Sequence, residues 1–395
     1  MDYNFDRIID RKSTNDIKWH SKVVETYLHV PVPEDIIPMW LADMDFACPP
    51  NLVEALKERC EKEIFGYCAP MASFMNAVCF WQREQHGFEV DAAWISVIPT
   101  VVAGINVAIR AFTEEGDGVI IQQPVYDPFF SIIKRCGRTV VNNGLINEDN
   151  YYSINFEELE QMAAEPQNKM MILCSPHNPV GRVWKKEELM QIADICARHQ
   201  VLLVTDEIHS DLVFGGNKHY PLLSLKPEYQ EYVIMLTSPG KTFNVAGLKT
   251  AISIIPNRDI RQAFDEMVIA LSLDVKNTFG IESVIHCYTE QGARWTKSLL
   301  SYIEDNFAAA AAYIKEHMPG VKFVKPEGTY LIWLDFTDTG ISDEELLQKI
   351  ILKSGVICVP GTWFGPGGEK HIRFNAGCPR SIMMEALKRM KGAYV

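Results

Sequence analysis

The sequence contains no uninterrupted apolar run of about 18 residues, the length that a membrane-spanning helix needs. The first residues, Met1–Arg7, lack the basic-then-apolar pattern of a secretory signal. Cations are scarce, because 38 Lys and Arg against 51 Asp and Glu give a net charge of −13. Nucleic-acid binding requires a basic face. We therefore expect no nucleic-acid partner, no membrane contact and a cytoplasmic location.

Paired cysteines are also missing. The chain has 10 cysteines, but none are spaced as in Cys-x-x-Cys, and the sequence has no internal repeats or low-complexity segments. This pattern predicts reduced thiols and no metal site. The hydrophobic content of 47% is ample for buried cores. The length of 395 residues predicts more than one domain.

Short apolar strands alternate with helices through the middle of the chain. Strands are predicted at 94–98, 118–122, 139–141, 169–174, 201–205, 232–236 and 250–255, and helices at 51–62, 101–112 and 185–199. This alternation predicts an α/β fold with a mostly parallel central sheet flanked by helices. Ligands of such sheets bind beyond the carboxyl ends of the strands.

The pattern changes near residue 285. A long helix is predicted over 298–318, extended segments over 329–336 and 371–375, and a helix from Ser342 with Glu345 as its capping-box partner. We predict an N-terminal arm (1–48) that contributes to the small domain, a large domain (49–285) and a smaller α+β domain (286–395). The glycine-rich segment 361–368 is either a flexible loop that closes over a substrate or a surface turn between two strands.

Lys241 lies in a turn of small residues directly after the apolar strand 232–236. A lysine buried at a strand end loses hydration, which lowers its pKa and makes its amine nucleophilic. Such an amine suits a Schiff base with an aldehyde cofactor. The alternative is an ordinary surface lysine in a turn.

Two further polar residues also follow strands. Asp206 ends the strand 201–205, where a buried carboxylate needs a cationic partner such as a protonated pyridine nitrogen, although a helix N-cap is the alternative. Asn178 lies in the stiff loop Pro176–Gly181, where its amide can donate to a phenolate oxygen. A plain turn is the alternative for that loop.

An anion site is predicted where the helix 101–112 begins directly after a strand. The free backbone amides of Val101 and Val102 at this helix N-terminus suit a phosphate group. Ser238 and Lys249 flank the lysine segment and can add phosphate contacts.

Two side chains complete the set. Tyr126 follows another strand and can lay its ring on a pyridine ring, or it is a core tyrosine. Arg373 has apolar neighbours, so its guanidinium fork requires a partner, either a substrate carboxylate or a structural ion pair. Together these residues predict a pyridoxal 5′-phosphate (PLP) site for an amino-acid substrate.

In their order along the chain, these motifs resemble those of the fold-type I PLP enzymes, the aspartate aminotransferase superfamily. The strings Pro38–Phe46, Asn178–Trp184, Asp206–Asp211 and Asn375–Arg380 are similar to those of its MalY/PatB group of cystathionine β-lyases. The resemblance implies the PLP-dependent transferase type I fold.

The resemblance also implies residue roles. Lys241 corresponds to the Schiff-base lysine, Asp206 to the pyridinium partner, Asn178 to the phenolate donor, Tyr126 to the stacking residue and Arg373 to the carboxylate anchor. Tyr67 corresponds to a tyrosine that reaches the phosphate in the neighbouring subunit, which implies a homodimer with shared active sites. His209 stands where many aminotransferases have tyrosine, and Lys249 where aspartate-specific ones have arginine. We expect Tyr330 to border the substrate or to pack in the core.

The implied activity is PLP-dependent C–S β-lysis of L-cystathionine or related cysteine S-conjugates, giving thiol, pyruvate and ammonia. An aminotransferase is the first alternative, because it uses the same site residues. The second alternative is a regulatory protein that retains the fold.

Overall fold

A seven-stranded sheet forms the centre of the fold, in the order β2-β10-β9-β8-β7-β3-β4. The structure, a computed structural model, describes residues 3–394, so Met1, Asp2 and Val395 of the predicted arm and C-terminal domain lie outside the described residues. Neighbouring strands are parallel except for β10, which runs antiparallel to both β2 and β9. The predicted α/β class with a mostly parallel sheet is confirmed.

The elements are numbered along the chain. The strands are β1 (Ile37–Pro38), β2 (Ile95–Ile98), β3 (Gly118–Ile121), β4 (Thr139–Asn142), β5 (Ile146–Glu148), β6 (Tyr151–Ser153), β7 (Asn168–Cys174), β8 (Leu202–Asp206), β9 (Val233–Thr237), β10 (Ala251–Ile254), β11 (Lys322–Phe323), β12 (Leu331–Asp335), β13 (Val356–Ile357), β14 (Val359–Pro360) and β15 (His371–Asn375). The helices are α1 (Ser21–Leu28), α2 (Pro50–Cys60), α3 (Ala72–His86), α4 (Val101–Phe112), α5 (Pro128–Arg135), α6 (Phe156–Ala164), α7 (Lys186–Arg198), α8 (Pro239–Thr242), α9 (Arg258–Ala270), α10 (Thr278–Cys287), α11 (Glu290–His317), α12 (Asp343–Glu345) and α13 (Arg380–Tyr394).

Capping residues explain where several helices begin. Thr100 accepts a hydrogen bond from the Ala103 amide, so α4 starts at the predicted residue. Helix α11 starts eight residues before the predicted position, because Thr289 caps the Gly292 amide. The predicted Ser342 capping box is present, but the helix continues beyond α12 as a π-helix over Leu346–Lys353.

A second, antiparallel sheet has the order β11-β12-β15-β14 and lies in the C-terminal part of the chain. The N-terminal arm contributes β1, which pairs in parallel with β13 from that part. The predicted domain boundaries stay a prediction. In the described chain, no helix is both long and apolar enough to cross a membrane.

Two segments differ from their sequence-based predictions. Lys241 lies on the one-turn helix α8, capped by Ser238, rather than in an irregular turn. The glycine-rich segment 361–368 begins with a 3-10 turn whose Phe364 is buried. The Phe364 carbonyl accepts a hydrogen bond from the Val125 amide at 3.0 Å. The loop is therefore packed against the segment that follows β3 of the large sheet.

A buried cluster of charges fixes the N-terminal arm. Lys18, which is 0% exposed, donates to Asp45 at 2.7 Å and lies 3.3 Å from an Asp43 oxygen. Arg11 also pairs with both carboxylates, at 2.6 Å for Asp45 and 2.8 Å for Asp43. Each buried charge is therefore compensated by opposite charges, and loss of one partner leaves another uncompensated.

We expect Lys18→Met to destabilise the protein by about 3–5 kcal/mol, because Asp43 and Asp45 both keep their charges and are left to share Arg11. Thermal unfolding followed by tryptophan fluorescence measures the effect. Lys57→Met is the matched control, since the Lys57–Glu54 pair is exposed and contributes less than about 1 kcal/mol. Equal changes in both variants would contradict a structural role for the buried cluster.

Candidate active site

A cavity of about 210 Å³ lies beyond the carboxyl ends of the central strands. Nine residues predicted from sequence line it together: Val101, Val102, Tyr126, Asn178, Asp206, His209, Ser238, Lys241 and Lys249. They come from different segments, and the parallel sheet brings them together because the carboxyl ends of its strands meet at one edge. The structure thus places these side chains around one space, while their individual roles stay predictions.

Lys241 is half-buried at the cavity wall. Its Nζ donates to the carbonyl oxygen of Ala42, in the N-terminal arm, at 2.5 Å. Burial lowers the pKa of Lys241 from 10.5 to about 8. The next residue, Thr242, donates to the buried Asp211 at 2.7 Å and so anchors α8 from behind. A larger share of this amine is therefore neutral and nucleophilic near neutral pH than for an exposed lysine.

Asp206, the last residue of β8, is buried without a cation in hydrogen-bonding contact. Its Oδ1 accepts one hydrogen bond, from the Ile208 amide at 3.1 Å. Burial raises the pKa of Asp206 from 3.8 to about 7. A cationic group bound beside this carboxylate would stabilise its ionised form.

Asn178 and Arg373 are joined by a hydrogen bond from Arg373 Nη1 to Asn178 Oδ1 at 3.1 Å. The bond fixes the orientation of the amide and leaves Nδ2 of Asn178 as a donor. Arg373 also donates to the Trp40 carbonyl at 2.8 Å, but its buried Nε has no acceptor. Among residues 3–394 no carboxylate pairs with Arg373, so the structural ion pair considered from sequence is absent.

The start of helix α4 supplies backbone donors at one end of the cavity. Within the described chain, the amides of Val101 and Val102 have no protein acceptor, as expected in a first helical turn. Ser238 Oγ donates to the Thr250 carbonyl at 2.7 Å, and Lys249 is exposed with a φ of 47°. The free amides and Lys249 lie where the sequence predicts an anion site, whereas the hydroxyl proton of Ser238 is already donated to Thr250. Phosphate binding by these groups stays a prediction.

Aromatic and imidazole side chains border the rest of the site. The Tyr126 amide donates to the Asn178 carbonyl at 3.0 Å, which joins the two segments. The His209 ring is buried 6.1 Å from the ring of Tyr330, and burial keeps its pKa well below 6.5. Tyr330 does not line the cavity, but its hydroxyl donates to the Ala42 carbonyl at 2.8 Å.

Tyr67 is not part of this cavity. Its side chain is 95% exposed, next to the exposed Ile64 and Phe65. The role predicted for Tyr67 is to reach the phosphate site of a neighbouring subunit. The structure of a single chain cannot show such a contact, so this role stays a prediction.

Sequence reasoning missed the contribution of the arm to the site. The Ala42 carbonyl binds both Lys241 and Tyr330, and Asn244 holds the arm through hydrogen bonds with Met44. A backbone carbonyl has no residue-type signature. The detectable signal was Asp43 and Asp45 inside an otherwise apolar string, since such carboxylates need buried partners.

The chemistry of these groups fits PLP. The free amides at the α4 terminus and the side chain of Lys249 suit a phosphate, and the free amide donor of Asn178 suits the phenolate oxygen of PLP. The unpaired Asp206 suits a protonated ring nitrogen. No group of three potential metal ligands is present in residues 3–394.

Comparison with known proteins identifies the family. The family model for aminotransferase class I and II matches residues 34–390. The chain belongs to this family. Cystathionine β-lyase PatB of Bacillus subtilis is 41% identical to this chain over 390 residues, and the match covers 99% of each protein. Protein MalY of Escherichia coli is 33% identical and covers 96% of the chain and 95% of its own length. The predicted superfamily and its MalY/PatB subgroup are confirmed.

A solved structure of another protein has the same fold as this chain. Cystalysin from Treponema denticola, which contains PLP, has a TM-score of 0.95 and 35% sequence identity. The match covers 100% of this chain and 99% of that one. The predicted PLP-dependent type I fold is therefore confirmed.

The unpaired Asp206 has a consequence for stability in protein prepared without PLP. Its pKa is raised on folding, so the stability that its proton contributes is lost as the pH rises from about 4 to about 7. Asp206→Asn removes this ionisation. We expect its stability relative to wild type to increase by about 2–3 kcal/mol between about pH 5 and about pH 8.

Thermal midpoints of the PLP-free proteins at the two pH values measure this difference. Asp259→Asn, at an exposed position, is the control for an aspartate-to-asparagine change outside the cavity. If the thermal midpoints of Asp206→Asn and wild type differ by the same amount at both pH values, the pKa of Asp206 is not raised.

Proposed function

We propose that the protein is a PLP-dependent C–S β-lyase that cleaves L-cystathionine or related cysteine S-conjugates to a thiol, pyruvate and ammonia. The observation that carries the proposal is a nucleophilic Lys241 and an unpaired Asp206 lining one cavity, in a chain 41% identical to a cystathionine β-lyase. The predicted enzyme class and cofactor agree with these relatives. PLP bound in the cavity supplies an electron sink for negative charge at the substrate Cα.

Each residue has a defined task in this reaction. Arg373 binds the substrate carboxylate with its guanidinium fork, whose Nε has no other acceptor. The Lys241 amine, with its lowered pKa, removes the proton from Cα as general base. The Asp206 carboxylate stabilises positive charge on the ring nitrogen, and Asn178 donates from its fixed amide. The electron pair left at Cα then forms the Cα–Cβ double bond as the Cβ–S bond breaks, and the thiolate leaves and takes up a proton. Water would then release the three-carbon fragment as pyruvate and ammonia.

An aminotransferase is the alternative, because the same residues bind PLP and remove the Cα proton. Transamination requires a 2-oxo acid as acceptor, whereas elimination does not. The similarity to PatB over 99% of both chains favours elimination. A regulatory protein without activity is disfavoured, since Lys241 and Asp206 are both present and line the cavity.

Pyruvate release from L-cystathionine by PLP-loaded protein, with no 2-oxo acid added, tests this proposal. We expect steady release over many turnovers, because elimination regenerates the enzyme. Loss of the amine in Lys241→Ala should abolish it, and Lys241→Arg should do the same, since an arginine stays protonated. No pyruvate, with PLP converted to its amine form after one turnover, would indicate an aminotransferase, because transamination leaves the C–S bond of L-cystathionine intact. Normal turnover by Lys241→Ala would refute the role of Lys241.

We propose that two chains form a homodimer with shared active sites and that the enzyme works in the cytoplasm. The support for the dimer is the exposed apolar group of Ile64, Phe65, Tyr67 and Met71, which a single chain leaves uncovered. The support for the location is that the 10 cysteines are all free thiols.

Mixing two inactive variants tests the shared site. If Tyr67 acts in the neighbouring subunit, a hybrid of Tyr67→Ala and Lys241→Ala chains contains one intact site. Random reassociation should then restore about a quarter of the wild-type sites. Tyr67→Phe is the milder control that keeps the ring. No recovery on mixing, with dimers verified by light scattering, would show that Tyr67 does not serve a neighbouring site.

A further inference from the structure

An open groove of about 910 Å³ lies beside the cavity and has no role in the reaction as described so far. Its lining comes from helix α1 and the residue after it, from the start of α5 and from the 361–368 loop: Lys22, Val23, Thr26, Tyr27, His29, Asp127 and Trp363. Tyr126 lines the cavity and the next residue, Asp127, lines the groove. The two spaces are therefore neighbours.

Aromatic side chains connect the groove to the surroundings of Arg373. The Tyr27 ring lies 4.4 Å from that of Trp40 and 5.0 Å from that of Trp363. The Arg373 guanidinium lies 4.9 Å from the ring of Phe364, the residue after Trp363. The wall of the groove is therefore linked to Arg373 on two sides, through Phe364 and through Trp40, whose carbonyl accepts a hydrogen bond from Arg373.

Asp127 is a carboxylate without a partner. It precedes helix α5 but accepts no capping hydrogen bond. Within residues 3–394 no lysine, arginine or histidine nitrogen lies within 4.0 Å of its carboxylate. Burial raises the pKa of Asp127, while the charge of Arg373 opposes this rise. A half-buried, unpaired carboxylate at a groove wall is complementary to a ligand cation.

The groove also carries a cation, because Lys22 is exposed on α1 and forms no ion pair in the described chain. One acidic and one basic side chain in a groove with aromatic walls are complementary to a zwitterion on a short aliphatic stem. The homocysteine half of cystathionine has this chemistry, with an ammonium and a carboxylate group beyond the thioether sulfur.

We propose that the groove binds the leaving-group half of the substrate and that Asp127 selects for its distal ammonium group. This inference rests on the proposed lyase function and names its substrate class: cysteine thioethers whose leaving group is itself an amino acid. Lys22 provides the complementary contact to the distal carboxylate. Asp127 is thus a specificity-determining residue and takes no part in bond breaking.

The test compares three substrates that share the cysteine half. L-Cystathionine has both distal charges, S-(3-carboxypropyl)-L-cysteine lacks only the distal amine, and S-ethyl-L-cysteine lacks both groups. We expect Asp127→Asn to lower kcat/KM for L-cystathionine roughly tenfold and to leave the two amine-free substrates within about twofold. Lys22→Met should lower kcat/KM for both substrates that carry a distal carboxylate and leave kcat/KM for S-ethyl-L-cysteine unchanged.

Asp259→Asn is the matched control, because Asp259 is also an aspartate at a helix start but lies outside the groove. If Asp127→Asn lowers kcat/KM equally for all three substrates, Asp127 has a structural role and the proposal is wrong. If Asp127→Asn keeps the full preference for L-cystathionine, Asp127 does not select for the distal ammonium group. Dissociation constants from absorbance titration of PLP-loaded Lys241→Ala protein, with and without Asp127→Asn, give the same comparison without turnover. Failure of the lyase function, seen as no pyruvate from any substrate, is therefore separable from failure of the subsite.

Discussion

The carbonyl oxygen of Ala42 is the point on which the site depends. It accepts hydrogen bonds from Lys241, which lies just beyond strand β9 of the large sheet, and from Tyr330, which immediately precedes strand β12 of the small one. One peptide group of the arm thus bridges the two sheets at the amine of Lys241. Its position in turn depends on the ion pairs of Asp43 and Asp45 with Lys18 and Arg11. Charges remote from the chemistry therefore position the group that contacts the lysine.

The pKa values of Lys241 and Asp206, two ionisable groups that line the cavity, are shifted in opposite directions from their ordinary values. Burial lowers the pKa of Lys241 to about 8 and raises that of Asp206 to about 7. Both shifts have the same cause, which is that each charged form lacks a sufficient partner in the protein alone. The site is thus electrostatically incomplete, and a ligand with complementary charges stabilises it on binding. This property separates a binding site from a satisfied structural ion pair.

Much of the fold could be predicted from sequence, because local signals and tertiary context agreed in the central sheet. Helix α4 was predicted to the residue, since Thr100 is a good cap and the apolar pattern is regular. Helix α3, an amphipathic helix that packs with α10, received no prediction, and the π-helix after Glu345 has no pattern of its own. Side chains at strand ends could be predicted because parallel topology brings them together. The Ala42 contact could not, since it depends on how the arm docks.

Several of the hydrogen bonds that hold the arm join segments that are far apart in the sequence. Asn375 donates to the carbonyls of Leu41 and Asp43, and Arg373 donates to that of Trp40, across separations of 334, 332 and 333 residues. These three hydrogen bonds can form only after residues 373–375 have left the ribosome, long after the segments that carry Asp206 and Lys241. A chain cut shortly before residue 373 keeps those segments and the contacts of the arm with Asn244, but it lacks the bonds that fix Trp40, Leu41 and Asp43 on either side of the Ala42 carbonyl. The final geometry around Lys241 is therefore set late in synthesis.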